Sequence, residues 1–210
     1  MSQRKIRNKK LGSRFDGKKD PVRGLFMQAE SFYRSANLLF HHATQMGPFN
    51  PPYMFPSIVC EAFSLELYLK CLITKEGSED FGTHDLEQLY GLVSAGNRAR
   101  IEEIFNERYL PQEQRMAEIV HKQLKKSGEC PKVTLQDYLH KSRRAFESFR
   151  YIHEKTKSMD GDGWSAKAVL QAVRERLIEI EPEWANFQFI QAPPVNPTLN
   201  LTKLATSPIR

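Results

Sequence analysis

The segment Pro56–Gly77, PSIVCEAFSLELYLKCLITKEG, does most to limit what this chain can become. Ile58, Val59, Ala62, Phe63, Leu65, Leu67, Tyr68, Leu69, Cys71, Leu72 and Ile73 place apolar groups on nearly every side of a helix. Such a helix must be surrounded by others, so it predicts the middle of a bundle, with Gly77 as its stop. Two charges sit inside it. Glu66 and Lys70 are four residues apart, with the acid first, the orientation that favours an ion pair on a helix. In apolar surroundings each must find a partner, so both are costly placements.

The rest of the chain keeps a helical period. Asp20-Pro21 reads as an N-cap followed by proline in the first turn. From there Leu25, Phe26, Ala29, Phe32, Tyr33, Ala36, Leu39 and Phe40 recur at three and four, one amphipathic helix to about Gln45. Met46–Pro56, with four prolines, reads as a loop of helix breakers. A short helix is expected at about Asp85–Ala95, capped by Asp85 with Gln88 able to reach back. Another is expected from about Arg98 to Lys126, broken near Pro111. Thr134-Leu-Gln-Asp137 resembles a capping box and opens a helix to about Lys155, with Leu135, Tyr138, Leu139, Ala145, Phe146, Phe149 and Ile152 as its stripe. A last helix follows from Trp164, ending near Pro182. No strand period and no internal repeat is visible. The expectation is an all-α bundle of five to six helices, one domain over residues 20–190.

Charge separates the ends from this domain. Residues 1–19 carry eight basic groups and one acid, while residues 20–210 carry 23 basic and 24 acidic groups. The high isoelectric point, near 9.2, therefore belongs to an arm. Without an apolar pattern the arm is expected to be disordered. It is either a solubilising tail or a contact for a polyanion through Arg4, Lys5, Arg7, Lys9 and Lys10. Residues 191–210, with four prolines and no period, read as an extended tail.

Several chemistries are excluded by spacing. No apolar run reaches the roughly 18 residues of a membrane span, and no apolar stretch follows the basic N-terminus, so no membrane contact is expected. Cys60 and Cys71 would lie about 16 Å apart along one helix and cannot pair. With Cys130 they make an odd count with no metal-ligand spacing, which suits reduced thiols in a cytoplasm. Asp160-Gly161-Asp162-Gly163 opens like a calcium loop, but its fifth and twelfth positions are Trp164 and Gln171. His41 and His42 are adjacent, point about 100° apart and cannot chelate one ion. No HExxH, phosphate-binding glycine loop, dinucleotide fingerprint or nucleophile elbow is present. Neither a metal nor a cofactor is expected. Arg143, Glu147, Arg150 and Glu154, at spacings of four, three and four, form a charged ridge on the Thr134–Lys155 helix.

Four segments together resemble a family. ESFYRSANLLF (Glu30–Phe40), IVCEAFSLELYLKCLITKEG (Ile58–Gly77), GTHDLEQLYGLV (Gly82–Val93) and RRAFESFRYIHE (Arg143–Glu154) are similar, in that order, to successive helices of a prokaryotic HEPN domain. The resemblance covers about Val22–Lys155. It implies a helical bundle, frequent homodimerisation, and a role in toxin–antitoxin or phage-defence systems, where a nucleotidyltransferase or another protein is the partner. In active members it implies a metal-independent ribonuclease, with an Arg followed after four to six residues by a His. The His would be acid or base on the 2′-hydroxyl and the Arg would stabilise the phosphate. Literal matches are Arg34 with His41 and Arg115 with His121. In the late helix, where the family carries the pair, Arg150 and His153 stand only three apart. Two functions stay open: a non-catalytic module binding a partner protein, nucleotide or RNA, or a ribonuclease using Arg150 and His153 or, less well placed, Arg115 and His121. In the first, Glu66, Lys70, His84, Arg143, Glu147 and Glu154 would form a structural polar network.

Overall fold

A computed structural model describes residues 20–45, 51–78, 82–123, 128–145 and 166–186. The N-terminal arm, the Asp160–Gly163 turn and the C-terminal tail lie outside these residues. Among the described residues every regular element is helical, as the periodicity requires.

Helix α1, Pro21–Gln45, begins as its sequence dictates. Asp20 Oδ1 accepts from Arg23 N at 3.0 Å, and Pro21 occupies a position whose N–H would have had no partner. Helix α2, Pro51–Lys75, starts five residues earlier than the breaker-rich reading of Met46–Pro56 allowed. Pro51 and Pro52 fall in the first turn, where missing N–H groups cost nothing, so only Pro56 forfeits a helical bond. Phe55, Ile58 and Val59 pack against Ala62 and Ala145, and this burial offsets the lost bond. The far end of α2 closes as a Schellman motif. Gly77, at φ +91°, donates to the Thr74 carbonyl, and Ser78 N donates to that of Ile73.

Between Glu61 and Ile73 every residue of α2 is buried or half-buried, the expected central position. Helix α1 lies antiparallel along it. Cys71 Sγ bonds the Val22 carbonyl, the Phe26 and Tyr68 rings stand 5.6 Å apart, Ser64 Oγ donates to the Ala29 carbonyl at 2.9 Å, and Phe32 meets Phe63 edge to face at 4.6 Å. As the α1 number rises the α2 number falls, which fixes one register for the hairpin.

Helix α3, Leu86–Leu92, is capped by Asp85, whose Oδ1 accepts from the amides of Glu87 and Gln88. Ser94 caps α4, Ala95–Ile104, which starts before the expected Arg98. Ser94 N and Oγ both donate to the Glu76 carboxylate, tying this start to the end of α2. The expected break at Pro111 does not occur. A π turn, Phe105–Tyr109, carries the chain without interruption into α5, Leu110–Gln123. Pro111 has no N–H for the Glu107 carbonyl, and its ring would press on that carbonyl in a regular helix. One extra residue in the preceding turn accommodates both.

Helix α6, Leu135–Ser142, has the expected capping box: Thr134 Oγ1 accepts from Asp137 N, and Asp137 Oδ2 accepts from Thr134 N. It ends at Ser142, followed by a turn at Arg143 and Arg144. A continuous helix from Thr134 through Arg143 is therefore not what forms, and residues 146–165 lie outside the described set. Helix α7, Lys167–Ile180, buries Ala168, Val169, Leu170, Ala172, Val173 and Leu177. With α4 and α5 counted as one, the described helices number six. The chain divides into two compact units, residues 1–177 and 178–210. The described part of the second holds the last turn of α7 and a 3-10 turn at Pro182–Asn186.

Candidate functional site

Two buried carboxylates organise the polar interior of the first unit. Glu66, on the central helix, has a side chain only 2% exposed. Its Oε1 accepts from Lys70 Nζ at 2.7 Å, one turn on, and from His84 Nδ1 at 2.8 Å. Lys70 comes from the same helix face, as its spacing requires. His84 is brought in by the chain that leads into the Asp85 cap of α3. Its imidazole is 64% exposed, so the cluster runs from the core to the surface. The other oxygen, Oε2, is buried and makes no hydrogen bond among the described residues. Such an oxygen forfeits solvation worth about 1–3 kcal/mol.

The second carboxylate, Glu30, stands on the buried face of α1 with 1% exposure. Its Oε1 accepts from Tyr68 Oη at 2.5 Å and from the Arg174 guanidinium of α7, and Arg34 Nε stands 3.8 Å from Oε2. Burial pushes the Tyr68 phenol far above its ordinary value, and the charge and hydrogen bond of Glu30 push it the same way. Burial pulls the Arg174 guanidinium down, but its bond to Glu30 and the charge there outweigh that, and the net direction is up. Arg174 also lies over the Tyr33 ring, 5.5 Å from its centre, and Gln171 Nε2 donates to Tyr33 Oη at 3.4 Å. One residue along α7, Glu175 accepts from Tyr109 Oη of the π turn and pairs with Arg108 at 2.5 Å. The Tyr109 phenol is raised by burial first and then by Glu175. Glu30, Tyr68, Arg174, Glu175 and Tyr109 thus join α1, α2, α7 and the π turn.

The candidates named from sequence fare unequally. Glu66, Lys70 and His84 come together. Arg143 does not join them through its side chain, which is exposed, but its carbonyl accepts from Leu86 N at 3.1 Å. Arg115 and His121 do not form a pair. Six positions apart on α5, they point about 120° from each other. Arg115 is exposed, while His121 is half-buried with Nε2 3.1 Å from the Gly128 carbonyl. Arg34 is held beside Glu30, and His41, two turns on, bonds Gln45 at 2.7 Å. Arg150, His153, Glu147, Glu154, Arg4, Lys5, Arg7, Lys9 and Lys10 lie outside the described residues.

Sequence reading missed Glu30 and Arg174, although one signal was present. Glu30 interrupts the apolar stripe of α1 between Ala29 and Tyr33, so an acid there must be neutralised by another element. No local spacing could point to Arg174, 144 residues away. Among the described residues no group of three His, Cys, Asp or Glu side chains could hold a metal ion, and no helix is long and apolar enough to cross a membrane. Comparison with protein-family models, curated proteins and solved structures finds no match.

Proposed function

We propose that this protein is a HEPN-like helical module of a toxin–antitoxin or phage-defence system, acting by binding a partner protein, a nucleotide or RNA, without turnover of its own. Support comes from the hydrogen bonds that join the four family-like segments. Tyr68 of the second donates to Glu30 of the first, His84 of the third bonds Glu66 of the second, and Leu86 of the third donates to the Arg143 carbonyl of the fourth. Glu30, Glu66 and His84, ionisable groups of the first three segments, are thus engaged in holding helices together. A group buried and paired in this way is not available to approach a phosphodiester, and Arg150 and His153 have two residues between them where the pattern that active members share has at least four. A homodimer, or a complex with a nucleotidyltransferase, is the assembly this function calls for, and the basic arm is the natural RNA contact.

The test is incubation of the purified full chain with structured and single-stranded RNA in EDTA, alongside folded Arg150→Ala and His153→Ala proteins. No cleavage is expected from any of them, with RNA binding that weakens as salt rises. Metal-independent cleavage by the wild type, reduced by a factor of about 10² to 10⁴ in His153→Ala, would make the protein a ribonuclease instead.

A further inference from the structure

Gln114 holds the strap of residues 128–134 with both ends of its amide. Its Oε1 accepts from Val133 N at 2.9 Å, and its Nε2 donates to the Pro131 carbonyl at 3.4 Å. Two turns on, His121 Nε2 lies 3.1 Å from the Gly128 carbonyl. The strap therefore runs antiparallel to α5 and is fixed at two levels. Between the helix, the strap and the start of α6 lies an open groove of about 770 Å³, separate from both carboxylate networks. That volume falls in the range of about 300–1,000 Å³ common for ligand sites.

The groove has a charged end and an apolar floor. Glu118 stands on the helix wall and Lys132 on the strap wall, both exposed. Neither side chain is paired among the described residues, with the other or with any third group. A simple cation drawn to Glu118 would be repelled by Lys132, and a simple anion would meet the reverse, so only a group that offers both signs gains from both walls. Leu110, half-buried, and Val133 and Leu135, both buried, supply the floor beside this end. Further along, the side-chain amides of Asn106 and Gln136 line the groove and make no hydrogen bond among the described residues, so a peptide bond can be held there. Glu102 closes the far end, with Oε1 accepting from Tyr90 Oη at 3.5 Å. Sixteen residues from Glu118, it is roughly 24 Å away and does not act on the same head group.

We propose that this groove binds a small zwitterion with a free ammonium, a free carboxylate and an apolar side chain, the chemistry of an amino acid or a short peptide with both ends free. The ammonium sits at Glu118, the carboxylate at Lys132, and the side chain on Leu110, Val133 and Leu135. This site does not rest on the proposed function, and the RNA assay and the titrations below succeed or fail separately.

The full chain is titrated by calorimetry with leucine, with leucyl-leucine, and with leucyl-leucine acetylated on its amine or amidated on its carboxyl. Cys130 lines the groove and is half-buried, so its alkylation, mapped apart from that of Cys60 and Cys71, reports whether the ligand is seated here. At least one zwitterion should bind and slow Cys130 alkylation several-fold, and the tighter of the two identifies the source. Each capped peptide should bind about tenfold more weakly than the free one, the scale of one charge-assisted hydrogen bond. Glu118→Gln should weaken the free peptide about tenfold and leave the acetylated one unaffected. Lys132→Met should weaken the free peptide equally and leave the amidated one unaffected. Both positions are exposed, so these variants should fold. Absence of binding and protection by both zwitterions, capped peptides that bind as tightly as the free one, or undiminished binding in the two variants would overturn the assignment.

Discussion

Removing Lys70 should harm this protein more than removing its partner Glu66, although both make the same ion pair. The difference follows from exposure. The Glu66 side chain is 2% exposed and, among the described residues, already has one oxygen without a hydrogen bond, so Lys70→Met leaves a buried carboxylate whose remaining described partner is His84. Stranding a buried charge costs about 3–5 kcal/mol, and the remaining His84 bond places this case near the lower end. Glu66→Leu leaves a lysine whose side chain is 15% exposed, and its four-carbon stem can carry the ammonium to water. That change should cost about 1–2 kcal/mol. The double variant removes the stranded charge and the orphan oxygen together, so it should be more stable than Lys70→Met alone, with a coupling of about 1–3 kcal/mol. The assay is urea unfolding followed by far-ultraviolet circular dichroism, with midpoints and slopes compared across the four proteins. Two additive changes, each below about 0.5 kcal/mol, would refute the idea of a desolvated pair at the centre of the bundle.

Alkaline stability should respond to Tyr68. Its folded-state pKa lies above the ordinary 10.0, so its contribution is fully present below pH 10 and is lost as pH rises toward the folded-state value. In Tyr68→Phe protein the urea midpoint should drop at neutral pH, where the bond to Glu30 is missing, and should fall less steeply above pH 10. An unchanged alkaline slope would show that the phenol ionises without resistance. Deleting residues 1–19 should leave the melting temperature nearly unchanged and abolish most salt-sensitive RNA affinity. A truncated protein that binds with the same affinity and salt slope would move the RNA contact onto the helical domain.

Local chemistry made much of this fold legible. The caps at Asp20, Asp85 and Thr134 each act within three residues, so their spacing alone announced them, and the all-round apolar character of Ile58–Ile73 announced a central helix. The Glu66–Lys70 pair was legible for the same reason, both partners lying on one helix face. What sequence concealed depends on distant partners or on positions within an element. Pro51 and Pro52 read as breakers because nothing local shows that they fall in a first turn, where their missing N–H groups are harmless. Arg174 could not be assigned to Glu30, since α1 and α7 are joined by tertiary packing alone. Pro111 signalled a disturbance, but a break and a π turn answer the same missing N–H, and only the fixed positions of Phe105 and Tyr109 select between them.

The π turn also sets the rotational phase of everything after it. Each residue added to a helix turns the following side chains by about 100°, so the extra residue in Phe105–Tyr109 re-aims the whole of α5. Glu113 meets Tyr138 and Gln114 grips Pro131 and Val133 only in that phase. Deleting one residue from the turn would give a more regular helix, yet it would swing all three contacts away together. Length at this point therefore matters as much as residue identity: a point substitution along α5 touches one contact, whereas a single-residue deletion upstream would displace the Glu113 and Gln114 contacts in one step.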